Sequence, residues 1–262
     1  MSKVVIISGS SSGIGFATAT KMYNDGYTVI GLSRKKPNNI LFDYFECDLT
    51  NSEIIKSVSN QIIKKYPIID IMINCAGVGT GGAVEEISNE DLKWVYNVNL
   101  FGTVDLIKNI LPSLKKANNS KIINIGSVAG EITIPYQASY SMSKSSLQRL
   151  TESLRIELKQ FNIDVCTVLP GDTKTGFTSN RKTIILEDSP YKEQVKRSIL
   201  KMEKDEQNGV SPNKVVKVIY KVIKKNKMPI QVVVGFDYKV LVFLSRVLPR
   251  KLVEYIITKM YG

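Results

Sequence analysis

Histidine is absent from this chain of 262 residues, and cysteine is scarce. Without histidine the chain can build neither a Ser-His or Cys-His nucleophile nor a histidine-ligated metal site. Proton transfer near neutral pH must therefore come from a tyrosine, lysine, cysteine or carboxyl group with a perturbed pKa. The three cysteines, Cys47, Cys75 and Cys166, are widely spaced, so we expect buried thiols in a reducing cytoplasm and no metal site.

Long apolar runs are missing as well. None approaches the roughly 18 residues that a membrane-spanning helix needs. The first residues, MSKVVIISG, are typical of a strand and lack the apolar segment of a signal peptide. With 43% apolar and 23% charged residues, the composition is that of a globular protein. We therefore expect one cytoplasmic domain over residues 1–262.

Acidic residues are outnumbered, and the formal net charge is +12. The excess is concentrated in residues 213–262, which hold eleven basic and two acidic residues. A basic surface can attract nucleic acid, anionic lipid or anionic ligands. Because no recognition-helix, zinc or RNA-binding pattern accompanies the charge, we do not expect nucleic acid as a partner.

Short β-branched runs alternate with longer amphipathic segments along the chain. Near-continuous apolar strands between helices predict an α/β fold, with a mostly parallel sheet covered by helices on both faces. Such a sheet binds its ligand at the carboxyl ends of the strands. The predicted strands are 3–8, 28–32, 42–47, 69–74, 121–126, 164–169 and 230–235. The predicted helices lie near 14–25, 51–65, 89–116, 139–160 and 212–225.

Two segments depart from this alternation. Residues 176–210 are polar, charged and irregular, which predicts a mobile substrate lid with one or two short helices. Residues 237–262, the C-terminal extension, combine dense apolar residues with interleaved basic ones. The extension could pack over a substrate cleft or a neighbouring subunit, attach weakly to a membrane surface, or pack in the core. The first alternative is favoured, and Pro249 would divide a helix there into two pieces.

A glycine loop, SGSSSGIG, follows the first predicted strand and leads directly into a helix. Gly9, Gly13 and Gly15 allow a tight turn and a close approach of the backbone to a pyrophosphate. The free N–H groups of the helix would face the phosphates. The loop therefore predicts a dinucleotide site, with a simple strand-to-helix link as the alternative. The predicted contacts are Gly9, Ser11, Ser12, Gly13, Ile14 and Gly15.

The second strand runs into LSRKK, where a dinucleotide-binding fold selects its cofactor. An acid at this point would bind the adenosine ribose 2′-OH, whereas Arg34 can accommodate a 2′-phosphate. Ser33 and Arg34 without an acid predict NADP(H), unless the turn is only a solvated basic loop. After the third strand, Asp48 and the adjoining Leu49 could contact the adenine, or Asp48 could cap the helix that follows Thr50.

The stretch YSMSK places Tyr140 and Lys144 four residues apart, on one face of a predicted helix. This spacing alone is unspecific. A tyrosine has an ordinary pKa of about 10, and a neighbouring ammonium group would lower it towards the range useful for proton transfer.

Together these motifs resemble the classical short-chain dehydrogenase/reductase family, over essentially the whole chain. SGSSSGIG matches its phosphate loop, with Ser8 in place of the usual threonine, and NCAG matches its N-N-A-G motif with a change at Cys75. NVNLFG carries the family's asparagine, IGSVAG its serine and YSMSK its tyrosine and lysine. A Pro-Gly turn follows the sixth predicted strand and leads into DTKTGF, where Thr173 replaces the usual valine or isoleucine.

The resemblance implies a single Rossmann-like, doubly wound domain with a seven-stranded parallel sheet, commonly assembled as homodimers or homotetramers. It implies that Tyr140 donates a proton to a ketone oxygen while hydride reaches the carbonyl carbon from the nicotinamide. Lys144 would hold the nicotinamide ribose and tune Tyr140, Ser127 would hydrogen-bond the carbonyl, and Asn99 would hold a water in a proton relay. The further implied cofactor contacts are Asn74, Ala76, Gly77, Tyr140, Lys144, Pro170, Gly171, Thr173 and Thr175.

The expected activity is NADP(H)-dependent interconversion of a ketone or aldehyde and an alcohol. The GFT after Thr175 and the basic, apolar C-terminal extension resemble the branch that acts on steroids, retinoids and acyl-chain ketones. The alternative is an NADP(H)-binding regulator, or a membrane-associated protein of this fold, without turnover. The candidate wall residues are those of 78–86, 176–210 and 130–138, the last with Ile132, Ile134, Pro135 and Tyr136.

Overall fold

A computed structural model describes residues 2–261 and contains a central sheet of seven parallel strands. The strand order in this sheet is β3-β2-β1-β4-β6-β7-β9, and β5 and β8 form a separate parallel pair. The strands are β1 (Val4–Ser8), β2 (Thr28–Ser33), β3 (Asp43–Glu46), β4 (Ile71–Asn74), β5 (Thr80–Gly81), β6 (Lys121–Ile125), β7 (Asp164–Leu169), β8 (Lys182–Thr183) and β9 (Gln231–Val233).

Helices cover both faces of the sheet. The cluster on one face joins strand residues to α1 and α7, and the cluster on the other joins them to α2 and α4. The helices are α1 (Gly13–Asn24), α2 (Ser52–Lys65), α3 (Asn89–Tyr96), α4 (Gly102–Lys116), α5 (Ala138–Glu157), α6 (Lys192–Gln207), α7 (Pro212–Ile223), α8 (Phe236–Val247) and α9 (Arg250–Tyr261). No helix within residues 2–261 combines the length and apolar character that crossing a bilayer requires.

The central strands are apolar at consecutive positions because both sides of the sheet are covered. In β1, Val5, Ile6 and Ile7 are all fully buried although successive side chains point to opposite faces. Burying a side chain of this size stabilises the fold by about 1.5–3 kcal/mol. The seven predicted strands of the main sheet are confirmed, whereas β5 and β8 were not predicted because two residues are too short for a periodic pattern.

Local capping accounts for the starts of two helices. The Asn51 side chain accepts hydrogen bonds from the backbone N–H groups of Glu53 and Ile54, and the Ser88 hydroxyl accepts one from Asp91. The helix predicted over 89–116 is interrupted, because α3 and α4 are joined by a π-helical turn at Asn97–Phe101. Such turns are frequent at functional sites.

The prediction of one or two short helices in residues 176–210 is confirmed only for a 3₁₀ helix at Thr178–Asn180. The segment contains α6, which has sixteen residues. Val195, Ile199 and Met202 recur at helical spacing and are buried against Ala83. The many charged residues around these three positions gave the segment its irregular appearance. At the end of the chain, α8 and α9 are divided at Leu248 and Pro249, as the proline predicted.

The order of the strands defines where a ligand can bind. From β1 the chain proceeds to β2 and β3 on one side, and then crosses to β4 and β6 on the other side. The crossovers therefore diverge at β1 and β4 and leave a crevice at the carboxyl ends of these strands. The loops that follow β1 and β4 are joined there, because the backbone N–H of Cys75 donates to the carbonyl of Ser8.

Candidate active site

A cleft of about 800 Å³ lies along the carboxyl edge of the sheet, between the loops that leave its strands and the C-terminal helices. All but two of the predicted site residues line this cleft. Those that line it are Gly9, Ser11, Ser12, Gly13, Ile14, Gly15, Ser33, Arg34, Asp48, Leu49, Ala76, Gly77, Ser127, Tyr140, Lys144, Pro170, Gly171, Thr173 and Thr175.

The glycine loop forms one end of the cleft and fits a pyrophosphate. Gly9 has φ +67°, and a Cβ atom at this position would lie 2.6 Å from the backbone nitrogen of Ala76. A Cβ atom at Gly15 would lie 2.2 Å from the carbonyl oxygen of Gly9. Ser12 is the N-cap of α1 but forms no side-chain capping bond, so the first N–H groups of the helix are available to phosphate oxygens.

The turn after β2 carries Arg34, whose exposed side chain borders the cleft. Tyr44 of β3 holds this turn, because its hydroxyl is hydrogen-bonded to the Ser33 hydroxyl and to the carbonyl of Lys35. Tyr44 was not predicted from the sequence. The signal that could have identified it is the pairing of β2 with β3, in which Tyr44 lies beside Gly31.

Asp48 follows β3 and lines the same end of the cleft. Its Oδ1 atom accepts hydrogen bonds from the backbone N–H and the hydroxyl of Thr50, both at 2.9 Å. The N-cap of α2 is Asn51, so Asp48 does not cap that helix. The capping alternative is therefore excluded, and Asp48 shapes the turn that borders the cleft.

Tyr140 and Lys144 lie one turn apart near the start of α5, and both face the cleft. The Nζ atom of Lys144 lies 5.8 Å from the centroid of the Tyr140 ring and donates a 2.9 Å hydrogen bond to the carbonyl of Ile125. The lysine is only 4% exposed. Burial lowers the pKa of Lys144 to about 8, because the ammonium form is poorly solvated there.

The prediction that the Lys144 ammonium group lowers the pKa of Tyr140 is wrong. Burial raises the pKa of Tyr140 to about 12, and the Ser127 hydroxyl opposes this rise. Desolvation dominates because the phenolate would be buried, while the nearby Lys144 ammonium is directed at the Ile125 carbonyl. Tyr140 is therefore a protonated phenol at neutral pH, which suits the donor of a proton.

Ser127 follows β6 and begins a short 3₁₀ turn. Its Oγ atom accepts a 3.1 Å hydrogen bond from the backbone N–H of Ala129. The backbone around it is held to β7, since Gly126 donates to Val168 and Val128 donates to Pro170. With its oxygen acting as the acceptor in this turn, the Ser127 O–H can donate to a group in the cleft.

The two cysteines at the cleft are excluded as thiolate nucleophiles or bases. Cys47 and Cys75 both line the cleft, and all three cysteines are free thiols. Burial raises the pKa of Cys75 to about 12 and that of Cys47 to about 11, so both are protonated at neutral pH. Tyr140 and Lys144 on α5 remain the titratable pair that is suited to proton transfer.

Asn99 does not border the cleft. It lies fully buried in the π-helical turn, where its Oδ1 accepts from the N–H of Val78 at 2.8 Å. Its Nδ2 donates to the Val78 carbonyl and to the Ser143 hydroxyl, both at 2.9 Å. The Asn99 side chain therefore fixes the loop after β4, and the water that Asn99 would hold in a proton relay stays a prediction. A Cβ at Gly77 would approach both Asn99 Oδ1 and Lys144 Nζ, within 3.5 Å.

Asn74 is the second predicted residue outside the cleft. It is buried, and its Nδ2 donates a 2.8 Å hydrogen bond to Oδ1 of Asn124 on the neighbouring strand. Asn124 in turn donates to the hydroxyl of Thr151 on α5. Asn74 therefore ties β4 to β6 and α5. The Asn74 side chain is directed at the neighbouring strand and does not line the cleft, so its contact with a cofactor stays a prediction.

The substrate end of the cleft differs in part from the expectation. Ile132 and Ile134 line it, whereas Pro135 and Tyr136 do not. Tyr136 has φ +61° and packs against the cluster around α6, which directs it away from the cleft. From residues 78–86, Val78 alone is a lining residue.

Several wall residues were not singled out from the sequence. The Phe177 ring lies 5.4 Å from the Tyr140 ring, centroid to centroid. Tyr238 packs on Gly171, where a Cβ atom would come within 2.2 Å of its ring, and its hydroxyl is bonded to Asp172. Met202 reaches the cleft from α6. Sequence periodicity gives no signal for these contacts, since they join segments far apart in the chain.

The C-terminal helices form the apolar wall opposite the glycine loop. Their lining residues are hydrophobic with the exceptions of Ser245 and the two tyrosines. They are Tyr238, Leu241, Leu244, Ser245, Leu248, Val253, Ile256, Ile257, Met260 and Tyr261. The cleft thus joins a glycine-lined end to an apolar end, with Tyr140, Lys144 and Ser127 between them.

Known proteins resemble this chain closely. The family model described as short chain dehydrogenase matches residues 3–184. A 3-ketodihydrosphingosine reductase of Bacteroides thetaiotaomicron is 38% identical over 264 residues, covering 99% of this chain and 98% of that protein. A probable short-chain type dehydrogenase/reductase of Helicobacter pylori is 31% identical, with 94% of this chain and 93% of that protein covered.

The fold is matched in solved structures as well. A short-chain dehydrogenase from Streptomyces avermitilis aligns with a TM-score of 0.81 at 25% identity, covering 99% of this chain and 96% of that one. With residues 3–184 matched by the family model and almost its whole length aligned to a named reductase, this chain belongs to the classical short-chain dehydrogenase/reductase family of oxidoreductases.

Proposed function

We propose that the protein is an NADP(H)-dependent reductase of an apolar, long-chain ketone. The observation that carries the proposal is the position of Tyr140, Lys144 and Ser127 between a glycine-lined end and an apolar end of one cleft. A cofactor and a hydrocarbon substrate could then meet at these three side chains. The name of the Bacteroides relative, a 3-ketodihydrosphingosine reductase, supports a keto group on a long-chain substrate.

The reduction needs a hydride and a proton. The chemistry that the nicotinamide cofactor supplies when bound is the donation of hydride to a carbonyl carbon. Tyr140 gives its phenolic proton to the carbonyl oxygen, which becomes the alcohol oxygen. Ser127 donates a hydrogen bond to the same oxygen and stabilises the negative charge that develops on it.

Lys144 and Tyr140 divide the acid–base work according to their environments. With a pKa of about 12, Tyr140 keeps its proton at neutral pH until a more basic oxygen forms beside it. Lys144, with a pKa of about 8, is still mostly protonated at pH 7 and stabilises the phenolate left after the transfer. Glu206 and Asp172 also line the cleft, and their negative charges favour the protonated phenol.

The preference for NADP(H) rests on the turn after β2. Arg34 is exposed at the cleft edge, and the Tyr44 hydroxyl holds the flanking Ser33 and Lys35 in place. A guanidinium group in this position can pair with the 2′-phosphate of NADP(H), which NAD(H) lacks.

Arg34→Ala is expected to weaken NADPH binding by about tenfold or more, the value of a lost charge-assisted hydrogen bond, and to leave NADH binding unchanged. The matched control is Lys36→Ala, because Lys36 is exposed on the same turn but does not line the cleft. Fluorescence titration of both coenzymes measures the difference. Equal affinity of the wild-type protein for NADH and NADPH would contradict the assignment.

The substrate class is tested by NADPH oxidation with ketones of increasing chain length, together with a steroid ketone and a retinoid aldehyde, and with NADH as the control. We expect kcat/KM to rise with chain length, because each added methylene can be buried against α8 and α9. Preference for short ketones would contradict the substrate class. NADPH binding without turnover on the whole series would instead identify a regulator.

A further inference from the structure

The outer surface of α8 carries an exposed apolar stripe, formed by Phe236, Val240, Phe243 and Val247. Their spacing of four, three and four residues places them on one face of the helix. They are 78, 40, 63 and 58% exposed. None of the four is among the residues that line the cleft, so binding of cofactor or substrate does not account for them.

Exposed apolar side chains also occur on α9 and at the mouth of the cleft. Leu252 and Tyr255 of α9 are likewise exposed and lie outside the cleft lining. Leu244, Ile256 and Met260 are both exposed and part of the lining, which places them at its rim. An exposed apolar surface therefore adjoins the opening of an apolar cleft, and a patch of this kind marks an interaction site.

The charges on the same two helices indicate what partner fits this surface. Lys239, Arg250, Lys251 and Lys259 are exposed, whereas α8 and α9 contain only two acidic residues, Asp237 and Glu254. The remaining basic residue, Arg246, is paired with Glu131. Basic residues beside exposed Phe, Leu and Tyr are typical of helices that lie in the interface of an anionic bilayer.

A second copy of the chain complements the exposed surface of α8 and α9 less well than an anionic bilayer does. Two copies joined through α8 and α9 would bring together two surfaces of the same positive charge, and like charges disfavour association. An anionic membrane complements this charge and can also accept the exposed aromatic side chains.

We propose that α8 and α9 dock the protein on an anionic membrane surface, with the mouth of the cleft facing the bilayer. The attachment is peripheral, since no helix in residues 2–261 has the length and apolarity to span a membrane. A hydrocarbon substrate could then pass from the bilayer into the cleft along Leu244, Ile256 and Met260. The docking itself does not depend on which ketone the enzyme reduces.

Vesicle flotation tests this proposal with the full chain. Wild-type protein is mixed with phosphatidylcholine vesicles that either contain or lack phosphatidylglycerol. We expect flotation with the anionic vesicles, weakened by added salt because salt screens the lysine and arginine charges. Phe236→Glu/Phe243→Glu is expected to reduce the vesicle-bound fraction about tenfold, since it places charge within the apolar face.

The matched control is Ile156→Glu/Leu200→Glu. These two residues are 78 and 65% exposed, close to the values for Phe236 and Phe243, but they lie on α5 and α6. The control is expected to float like the wild type. Both variants should retain NADPH oxidation with a short, water-soluble ketone, so a loss of docking is distinguishable from a loss of the proposed activity.

Two results would overturn the proposal. One is the absence of wild-type flotation with anionic vesicles. The other is equal flotation of the wild type and Phe236→Glu/Phe243→Glu. If size-exclusion chromatography with light scattering then shows a changed oligomeric state in this variant, the apolar stripe is an interface between copies of this chain.

Discussion

The two walls of the cleft are built in opposite ways. At the nucleotide wall, backbone segments meet so closely that a Cβ atom at Gly9 or Gly15 would overlap a neighbouring backbone atom. At the apolar wall, Val242 is the only residue buried in α8, and no residue of α9 is buried. Close packing fixes positions to within a fraction of an ångström, whereas loosely covered helices can exchange side chains at little cost to the fold.

Lys144 and Ser127 are held by closely packed segments as well. Lys144 is buried and bonded to the strand end at Ile125, and Ser127 sits in a turn held between β6 and β7. The family can therefore keep one reaction geometry while the apolar wall defines the substrate. We therefore expect substitutions near the glycine-lined wall to change turnover, coenzyme binding or stability. Substitutions in the apolar wall should mainly change the KM for the substrate.

Tyr140→Phe is expected to have the largest effect, because the proton donor is lost while the packing is retained. NADPH oxidation with the preferred ketone should fall about 1,000-fold or more, and NADPH affinity should change less than about twofold. Steady-state kinetics and coenzyme titration measure the two quantities. Tyr136→Phe is the control, since Tyr136 lies four residues away and outside the cleft lining. Retained turnover in Tyr140→Phe would exclude it as the proton donor.

Gly9→Ala tests the close packing of the nucleotide wall. The added Cβ would lie 2.6 Å from the Ala76 backbone nitrogen at a residue with φ +67°, so either the loop or β4 must shift. We expect a loss of about 2–4 kcal/mol in the free energy of unfolding and weaker NADPH binding. Urea denaturation and coenzyme titration are the measurements.

Gly26→Ala separates the clash from the backbone conformation. Gly26 also has a positive φ, +85°, but an added Cβ would have no neighbour within 4 Å. Gly26→Ala should lower the free energy of unfolding by only about 1 kcal/mol, which is the cost of the left-handed backbone conformation alone. Equal losses for Gly9→Ala and Gly26→Ala would show that close contact with Ala76 is not what fixes the loop.

Lys144 should leave a signature in the pH dependence of stability. Its pKa is about 8 in the folded protein and about 10.5 in the unfolded chain, so between these values the unfolded state binds more protons. The free energy of unfolding contributed by this residue therefore rises with pH, by about 2 kcal/mol between pH 7.5 and 9.5.

The measurement is urea denaturation of the wild type and of Lys144→Met at several pH values. The stability of the wild type relative to Lys144→Met should increase as the pH rises through 8, while Lys36→Met, at an exposed lysine, should show no such trend. A difference that stays constant over this range would mean that the folded protein does not depress the lysine pKa.

Leu241→Gln tests the apolar wall and should have the smallest effect on the fold. Leu241 lines the cleft from α8, and a polar amide there would disfavour a hydrocarbon chain. We expect the KM for a long-chain ketone to rise about tenfold, with the KM for a short ketone unchanged. Val240→Gln is the neighbouring control outside the lining. If both ketones respond equally, α8 does not select for chain length.

Much of the fold follows from local patterns in the chain. The strands of the main sheet were predictable because buried parallel strands are continuously apolar, and the break between α8 and α9 was predictable from Pro249. The long helix α6 was not, because its three buried apolar residues are separated by charged ones. The local sequence predicts a helix or strand clearly only when most of its residues follow the pattern typical of that element.

The candidate site divides in the same way. The spacing of Tyr140 and Lys144, the order of the motifs and the glycine loop were all visible in the sequence, because each depends on residues close together in the chain. The contacts of Asn99 and Asn74 could be assigned only from the structure. The Asn99 side chain is hydrogen-bonded to Val78 and Ser143, and the Asn74 side chain is hydrogen-bonded to Asn124. Phe177 and Tyr238 reach the cleft through contacts between distant segments, and Tyr44 holds the turn that borders the cleft.

The sequence by itself determined the family, the parallel sheet and the residues suited to proton transfer, since these depend on residue type and short spacings. Tertiary structure alone decided how those residues titrate and what surrounds them. The pKa of Tyr140 rises to about 12 and that of Lys144 falls to about 8, because folding buries Lys144 and partly buries the Tyr140 phenol. Folding also places α8 and α9 along the cleft and leaves the apolar stripe exposed. Neither the pKa shifts nor these positions can be derived from residues that are adjacent in the chain.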